Sequence, residues 1–468
     1  MAANQGQDMA PLVMSGARVT ENLPLLVFTA APISGHTGPV LQLAREFILR
    51  GYEIIFMTSP EFKASVEKIG AEWYECSPFF PPGSEEARQK VPVGLPRVVW
   101  DQENLFLASI RPRTARMRSL LEMIHERDPG RRVVIAAETF SLAILAFRFG
   151  APLPKGYTKF PEVLVLNVIP LFVSSIDTAP FGPGLLPDST ESGRARNRLL
   201  NQLMSSGPLE GCHSILRQTL KDLACTSEPQ TNLLDTYFGS YDVLFQLCSP
   251  SMDYPRSDLP LSIRYAGALP PRPVDPGFVF PSWWSEITTN AALPTDSTDK
   301  KKTIPISQGT INPDHTELLL PTINALAKRT DVLLIIILGV KGASFPAEIE
   351  IPPNTRVIDY FPYDAILRYA DIFITNGGYG SFVHGAVNGV PMVMAGESED
   401  KLETSSRGEY AGFAVNLRTQ RPTPEAIYKG VEEILSNPTY KQRALRIRQD
   451  NLDLDAVHMI EKQIVASC

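Results

Sequence analysis

The chain has 468 residues, more than the ~250–300 that one hydrophobic core usually serves, so two domains are expected. Its 44% hydrophobic and 20% charged residues are ordinary for a globular protein, and a net charge of −7 with no long basic stripe argues against nucleic acid as the main partner. The longest apolar run, "VLLIIILGV" (Val332–Val340), is too short for a transmembrane segment, and five cysteines without a C-x-x-C pair suggest neither a disulfide framework nor a zinc site.

Residues 1–23 carry no charged-then-apolar signal pattern and read as a disordered tail. With no N-x-S/T sequon either, a cytoplasmic location is expected. From Pro24 a strand–helix alternation begins. "PLLVFTA" reads as a buried strand, "APISGHTG" as a turn and "PVLQLAREFILR" as an amphipathic helix with Pro39 near its first turn. "YEIIFMT", a short strand at Glu72–Tyr74, a helix near Glu103–Arg127 and the strand "RVVIAAE" follow. "TFSLAILAFRFG" reads as a helix closed by Gly150, and "PEVLVLNV" as another strand. A helix-rich insertion spans about Asp188–Leu223 before "YDVLFQLC" and "IRYAG" restore the strand pattern. This order implies a mostly parallel sheet with helices on both faces.

Ala268–Lys302, with six prolines and the pair Trp283–Trp284, reads as a stiff linker whose tryptophans pin it to a domain surface. A second alternating series then runs from "TIPIS" through "VLLIIIL", "TRVIDYF", "DIFITN" and "VPMVMAG", with helices expected at Asp314–Lys328, Asp364–Arg368 and Tyr379–Asn388. Helical segments near Pro424–Leu435 and Thr439–Val465 close the chain. The fold class is therefore α/β, with two Rossmann-like doubly wound domains facing a cleft. Ligands of open α/β sheets sit beyond the carboxyl ends of the strands.

Candidate chemistry falls at those strand ends. In "FITNGGYGS" a strand hands over to a helix through Gly377, Gly378 and Gly380. Backbone N–H groups there can approach an anion closely, the helix N-terminus adds partial positive charge, and Asn376 and Ser381 can add side-chain donors. The turn matches neither the P-loop nor G-x-G-x-x-G, so it could equally be a tight turn and nothing more. "SQGT" offers Gly309 and Thr310 as a second anion contact. His36, after the first strand, can serve as a general base, and Glu138, at the end of another strand, can orient it or instead cap the following helix. Asp453 and Asp455 form a D-x-D near the last helix, where charged residues usually face water rather than a metal.

"GHTGPVLQLAREFILRGYEIIFMT", "SQGT", "DYFPYDAIL", "ITNGGYGSFVHGAVNGVPMVMAGESEDK" and "GFAVNL" together resemble the GT-B nucleotide-sugar glycosyltransferases of the UDP-glycosyltransferase superfamily, in their bacterial and fungal natural-product form. The resemblance implies inverting transfer of a hexose, most directly from UDP-glucose, to a hydroxyl of a small lipophilic acceptor, with no metal or other cofactor. It implies an acceptor-binding domain at 24–267, a linker at 268–302, a nucleotide-sugar-binding domain at 303–450 and a C-terminal helix, 451–468, packing back on the first domain. His36 falls on the family's base and Glu138 where an Asp usually pairs with it. Tyr360 falls on the position that stacks on the nucleobase, and Phe361 would offer its backbone to the base edge. Asn376, Gly378, Gly380 and Ser381 fall on the diphosphate turn, His384 where many members place a ribose-binding Glu, and Asp400 and Lys401 on an acidic–Gln pair that reads sugar hydroxyls. A UDP-sugar 2-epimerase or a catalytically silent nucleotide-sugar-binding module would share this architecture.

Overall fold

The structure is a computed structural model that describes residues 23–309 and 314–466. The tail, residues 1–22, and Thr310 lie outside the described residues. Two wholly parallel sheets organise the chain. The first contains β1 (Leu25–Thr29), β2 (Ile54–Thr58), β3 (Glu72–Glu75), β4 (Val133–Glu138), β5 (Glu162–Asn167), β6 (Val243–Gln246) and β7 (Ile263–Tyr265), in the order β3-β2-β1-β4-β5-β6-β7. The second contains β8 (Lys302–Ser307), β9 (Val332–Ile337), β10 (Thr355–Ile358), β11 (Phe373–Thr375), β12 (Met392–Met394) and β13 (Ala414–Asn416), in the order β10-β9-β8-β11-β12-β13.

Both sheets reverse direction between their first and fourth strands, and such a reversal opens a crevice at the strand ends. In the first sheet that point lies between β1 and β4, and in the second between β8 and β11. The uninterrupted apolar strands are what two covered faces demand. Along β9, Leu333, Ile335 and Ile337 enter one core while Val332, Leu334 and Ile336 enter the other. In the first domain Phe28, Phe47 and Phe56 are fully buried, each burial stabilising by about 1.5–3 kcal/mol.

Several elements differ from the sequence reading. The helix after β1 begins at Ser34, well before Pro39, so His36 sits in its first turn rather than in a preceding loop. "TFSLAILAF" is helical only over Leu145–Arg148. The carboxylate of Glu138 accepts the Phe140 N–H at 3.0 Å, and Leu142 takes a left-handed conformation at φ 51°, so residues 139–144 turn instead of coiling. The expected helix at Asp314–Lys328 is confined to Leu319–Leu326. The final helical stretch is two helices, Pro438–Leu454 and Ala456–Ala466, broken at Asp455 with φ 48°. Asp455 accepts the His458 N–H there, an N-terminal cap on the last helix. The last helix returns to the first domain, where Ala456, Val457, Ile460 and Ile464 join its core and Glu461 pairs with Arg50 at 2.5 Å.

The linker contains a helix, Trp284–Ala292, and its tryptophans lie against the second domain. Trp284 stands 5.3 Å from the Phe361 ring and Trp283 6.1 Å from it. Helix Lys401–Ala411 had no counterpart in the sequence reading. It buries Glu403, Ser406 and Arg407 against the first domain. Gln246 and Tyr379 bridge the domains as well, Nε2 donating to the phenol oxygen at 2.9 Å. No helix of the described residues is long and apolar enough to cross a membrane.

Candidate active site

At the first switch point the chain leaves β1, turns at Ala31 and enters helix Ser34–Leu49. Thr37 fixes the turn, its hydroxyl donating to the Ala31 carbonyl at 3.0 Å. His36 projects toward β4 and meets Glu138, with Nδ1 2.8 Å from Oε1. Glu138 is fully buried and also accepts the N–H groups of Ala31, at 3.1 Å, and Phe140, at 3.0 Å. It therefore both orients the histidine and satisfies the turn after its own strand. The longer Glu side chain reaches the ring without difficulty. A carboxylate on Nδ1 selects the tautomer that leaves Nε2 free to accept a proton. Burial pulls the His36 pKa down, but the charge and hydrogen bond of Glu138, with Asp400 adding from the second domain, raise it above its ordinary value.

At the second switch point Gly309 follows β8 at φ 74°, and the Asn376–Gly377–Gly378 turn follows β11. Asn376 donates its side-chain amide to the Gln308 carbonyl, so it braces the two turns against each other. Gly377 has φ 81°, and a Cβ there would come within 2.4 Å of the Ser405 hydroxyl and 3.2 Å of the Lys401 carbonyl. Gly378 caps helix Tyr379–Asn388, and Gly380 in its first turn borders open space, with no protein atom within 4 Å of where a Cβ would stand. The turn thus presents unpaired helix N–H groups to an open side, the arrangement that suits an anion. Ser381 is buried beside Tyr363, whose hydroxyl donates to Ser307 at 2.9 Å.

His384 lies one turn further along the same helix and pairs with Asp364, Nδ1 to Oδ1 at 2.8 Å. Asp364 also accepts from Asn388 and from the Arg272 backbone, each at 2.8 Å. Burial pushes its carboxyl up, but these donors, His384 first, hold it below the usual range. Tyr360 is 40% exposed with Lys341 over its ring, and Phe361 is buried against the linker tryptophans. Asp400 and Lys401 head helix Lys401–Ala411. Burial raises the Asp400 carboxyl, and His36 of the first domain is among the charges acting on it. Lys401 is turned back, donating to Ser398 at 2.8 Å and to Glu399.

The fourteen candidate positions thus converge on the facing strand ends, save Thr310, which lies outside the described residues. Sequence reasoning missed Asp364 and Tyr363. Their signal is "PYDAIL", where a half-buried Tyr and a buried Asp open a short helix at a strand end. Glu399 was missed because nothing local marks a residue whose partner, Arg88, lies 311 positions away. No group of three or more His, Cys, Asp or Glu side chains suited to a metal ion occurs among the described residues.

Two facing doubly wound sheets, with a histidine–carboxylate pair at one switch point and a glycine-rich turn at the other, have the architecture of the GT-B glycosyltransferases. Residues 324–466 match the model of the erythromycin biosynthesis protein CIII-like C-terminal domain. The chain is 38% identical to UDP-glucosyltransferase 1 of Beauveria bassiana over 94% of each protein. It is 30% identical to UDP-glucosyltransferase B1 of Starmerella bombicola, covering 94% of this chain and 98% of that one. Among solved structures, the glycotransferase of kitacinnamycin superposes with a TM-score of 0.68 over 95% of this chain and all of the other, a likeness of fold at 18% identity. The chain belongs to the UDP-glycosyltransferase family and is a glycosyltransferase.

Proposed function

We propose that this enzyme transfers glucose from UDP-glucose to a hydroxyl of a small lipophilic acceptor, with inversion at the anomeric carbon and without a metal. The single observation that carries the reading is the His36–Glu138 pair set across from Asp400 and the glycine turn. His36 Nε2 takes the proton of the acceptor hydroxyl as its oxygen attacks. Glu138 stabilises the imidazolium that forms. The bond from the anomeric carbon to the diphosphate oxygen breaks on the opposite face. The charge that develops on UDP is met by the N–H groups of the Asn376–Ser381 turn, donors already in place before the reaction. Tyr360 is accessible for stacking on uracil, Phe361 supplies backbone to the base edge, and His384, held by Asp364, faces the ribose. Gly309 and Thr310 close the diphosphate from the other turn. Asp400 reads sugar hydroxyls, with Lys401 turned back to Ser398 and Glu399 rather than toward them.

The choice of UDP-glucose follows the relatives named above, two of which are called UDP-glucosyltransferases. The apolar acceptor follows the rings beside His36. Phe140 lies 5.9 Å from the imidazole, Phe106 packs 4.5 Å from Phe140, and Phe79 packs 5.3 Å from Phe106. Calorimetric titration with UDP, GDP and dTDP in chelator tests the nucleotide site. Incubation with UDP-glucose and a panel of lipophilic alcohols and phenols tests transfer, and the anomeric configuration of the product tests inversion. UDP binding in chelator with acceptor-dependent UDP release is expected. Absence of binding to all three nucleotides, with metal restored, would sink the proposal.

A further inference from the structure

The segment between β12 and helix Lys401–Ala411 is held in an unfavourable shape by a residue of the other domain. Glu399 adopts φ 50°, a left-handed conformation unfavourable for a non-glycine residue. Such geometry persists where the surroundings over-determine it. Here the surroundings are charged. Glu399 Oε2 receives Lys401 Nζ, which also donates to Ser398, and Oε1 receives Arg88 Nη2 at 3.2 Å. Arg88 stands on helix Ser84–Gln89 of the first domain and is itself fixed by a two-pronged bond to Asp101, Nε to Oδ1 at 2.8 Å and Nη2 to Oδ2 at 2.9 Å. Its side chain is only 14% exposed, so the contact is sheltered from solvent screening.

Asp400 lies between the two members of this network in sequence, at the head of helix Lys401–Ala411. Its side chain makes no hydrogen bond to another described side chain, so the backbone of 399–401 is what holds it in place. Lys401 donates to Glu399 and Ser398 rather than to Asp400.

We propose that Arg88 is a positioning residue for the donor sugar: by clamping Glu399 from the acceptor-side domain it fixes the 399–401 backbone and so presents Asp400 to the sugar hydroxyls. This rests on the functional reading above and adds a residue to it from outside the donor domain. The clamp is expected to act on the hexose more than on the nucleotide, because Asn376 and His384 are held by bonds to Gln308 and Asp364 that Arg88 does not share.

The test compares UDP-glucose with UDP on the full-length protein. Arg88→Ala is expected to raise the dissociation constant for UDP-glucose about tenfold while changing that for UDP by less than about twofold. Arg88→Lys, which keeps the charge but not the two-pronged geometry, should fall between wild type and Ala. Glu399→Ala should reproduce the loss, and the double variant should be no worse than either single one, since both break the same link. A parallel loss of UDP and UDP-glucose affinity, unchanged discrimination, or additive single effects would each overturn the proposal, the first by reducing Arg88 to a structural residue. A wild-type protein that binds no UDP would instead overturn the functional reading, an outcome distinct from these.

Discussion

Arg407 of the second domain donates from Nε to Oδ1 of Asp253 in the first at 2.8 Å, and both side chains are only 3% exposed. Around that bond Arg407 also donates to Glu403 at 3.0 Å and to the Leu171 carbonyl at 3.1 Å, and its guanidinium lies 4.4 Å from the centre of the Tyr254 ring. Asp253 in turn accepts from Arg256 at 3.0 Å and from the Tyr265 hydroxyl at 2.9 Å. Glu403 takes the N–H groups of Gly182 and Gly184, each at 2.9 Å. Helix Lys401–Ala411, which carries Asp400 at its head, is therefore bolted to the acceptor-side domain. Removing one partner of a buried ion pair leaves the other uncompensated, at a cost of about 3–5 kcal/mol. Arg407→Ala should lower thermal stability accordingly, read as a several-degree fall in Tm, and should weaken transfer, since it loosens the helix that carries Asp400.

The same pair sets an acid limit on stability. Burial pushes the Asp253 carboxyl up, but Arg256 and Arg407 hold it down at about 2, below the ordinary aspartate value. A depressed carboxylate contributes stability that is present above its unfolded pKa, near 3.8, and is lost as pH falls toward the folded value. Denaturant titrations should therefore show stability falling as pH is lowered from about 4 to 2, by on the order of 2 kcal/mol from this group. In Asp253→Asn that increment of the pH dependence should be missing.

His36→Ala should reduce transfer by about 100-fold or more, the usual contribution of a positioned base, with UDP affinity nearly intact. Glu138→Gln tests the orientation separately. His36 must be neutral to accept a proton, and its pKa is raised in the folded enzyme, so the rate should fall on the acid side of that raised value. Removing the Glu138 charge leaves burial as the main influence, which lowers the pKa. The acid limb of the pH–rate profile should then move to lower pH while the plateau rate drops. An unmoved limb would separate the pair from the chemistry.

Hydrophobic patterning revealed the strands and the glycine turn because those features are local. β1, β4 and β9 are buried on both faces and read as unbroken apolar runs, and the turn after β11 announces itself through Gly377 and Gly378. Patterning failed where burial was uniform or polar. Residues 139–147 are all buried, so "TFSLAILAF" carries no period to distinguish a coil of turns from a helix. Helix Lys401–Ala411 fails for the opposite reason. It buries Glu403, Ser406 and Arg407 against partners more than 150 positions away, so that its sequence looks like a solvated patch. The break at Asp455 has no glycine or proline to signal it. The individual site residues were legible at their strand ends. The link across the domains between Arg88 and Glu399 depends on how the two sheets are docked.

Two glycines of one turn separate architecture from ligand binding. Gly377 is left-handed, at φ 81°, and a methyl group there would run into Ser405 and the Lys401 carbonyl. Gly377→Ala should cost about 1–2 kcal/mol for the backbone alone, with the clash added, and should depress both Tm and UDP affinity. Gly380 stands in the first turn of helix Tyr379–Asn388 and its added methyl would meet nothing in the protein. Alanine favours a helix over glycine by about 0.5–1 kcal/mol, so Gly380→Ala should hold or raise Tm. Its methyl would occupy the open side of the turn, where the diphosphate is proposed to lie. UDP affinity should therefore fall in a protein that is at least as stable as the wild type. Unchanged UDP binding by Gly380→Ala would mean that the nucleotide does not approach this turn and that the open N–H groups serve only the fold.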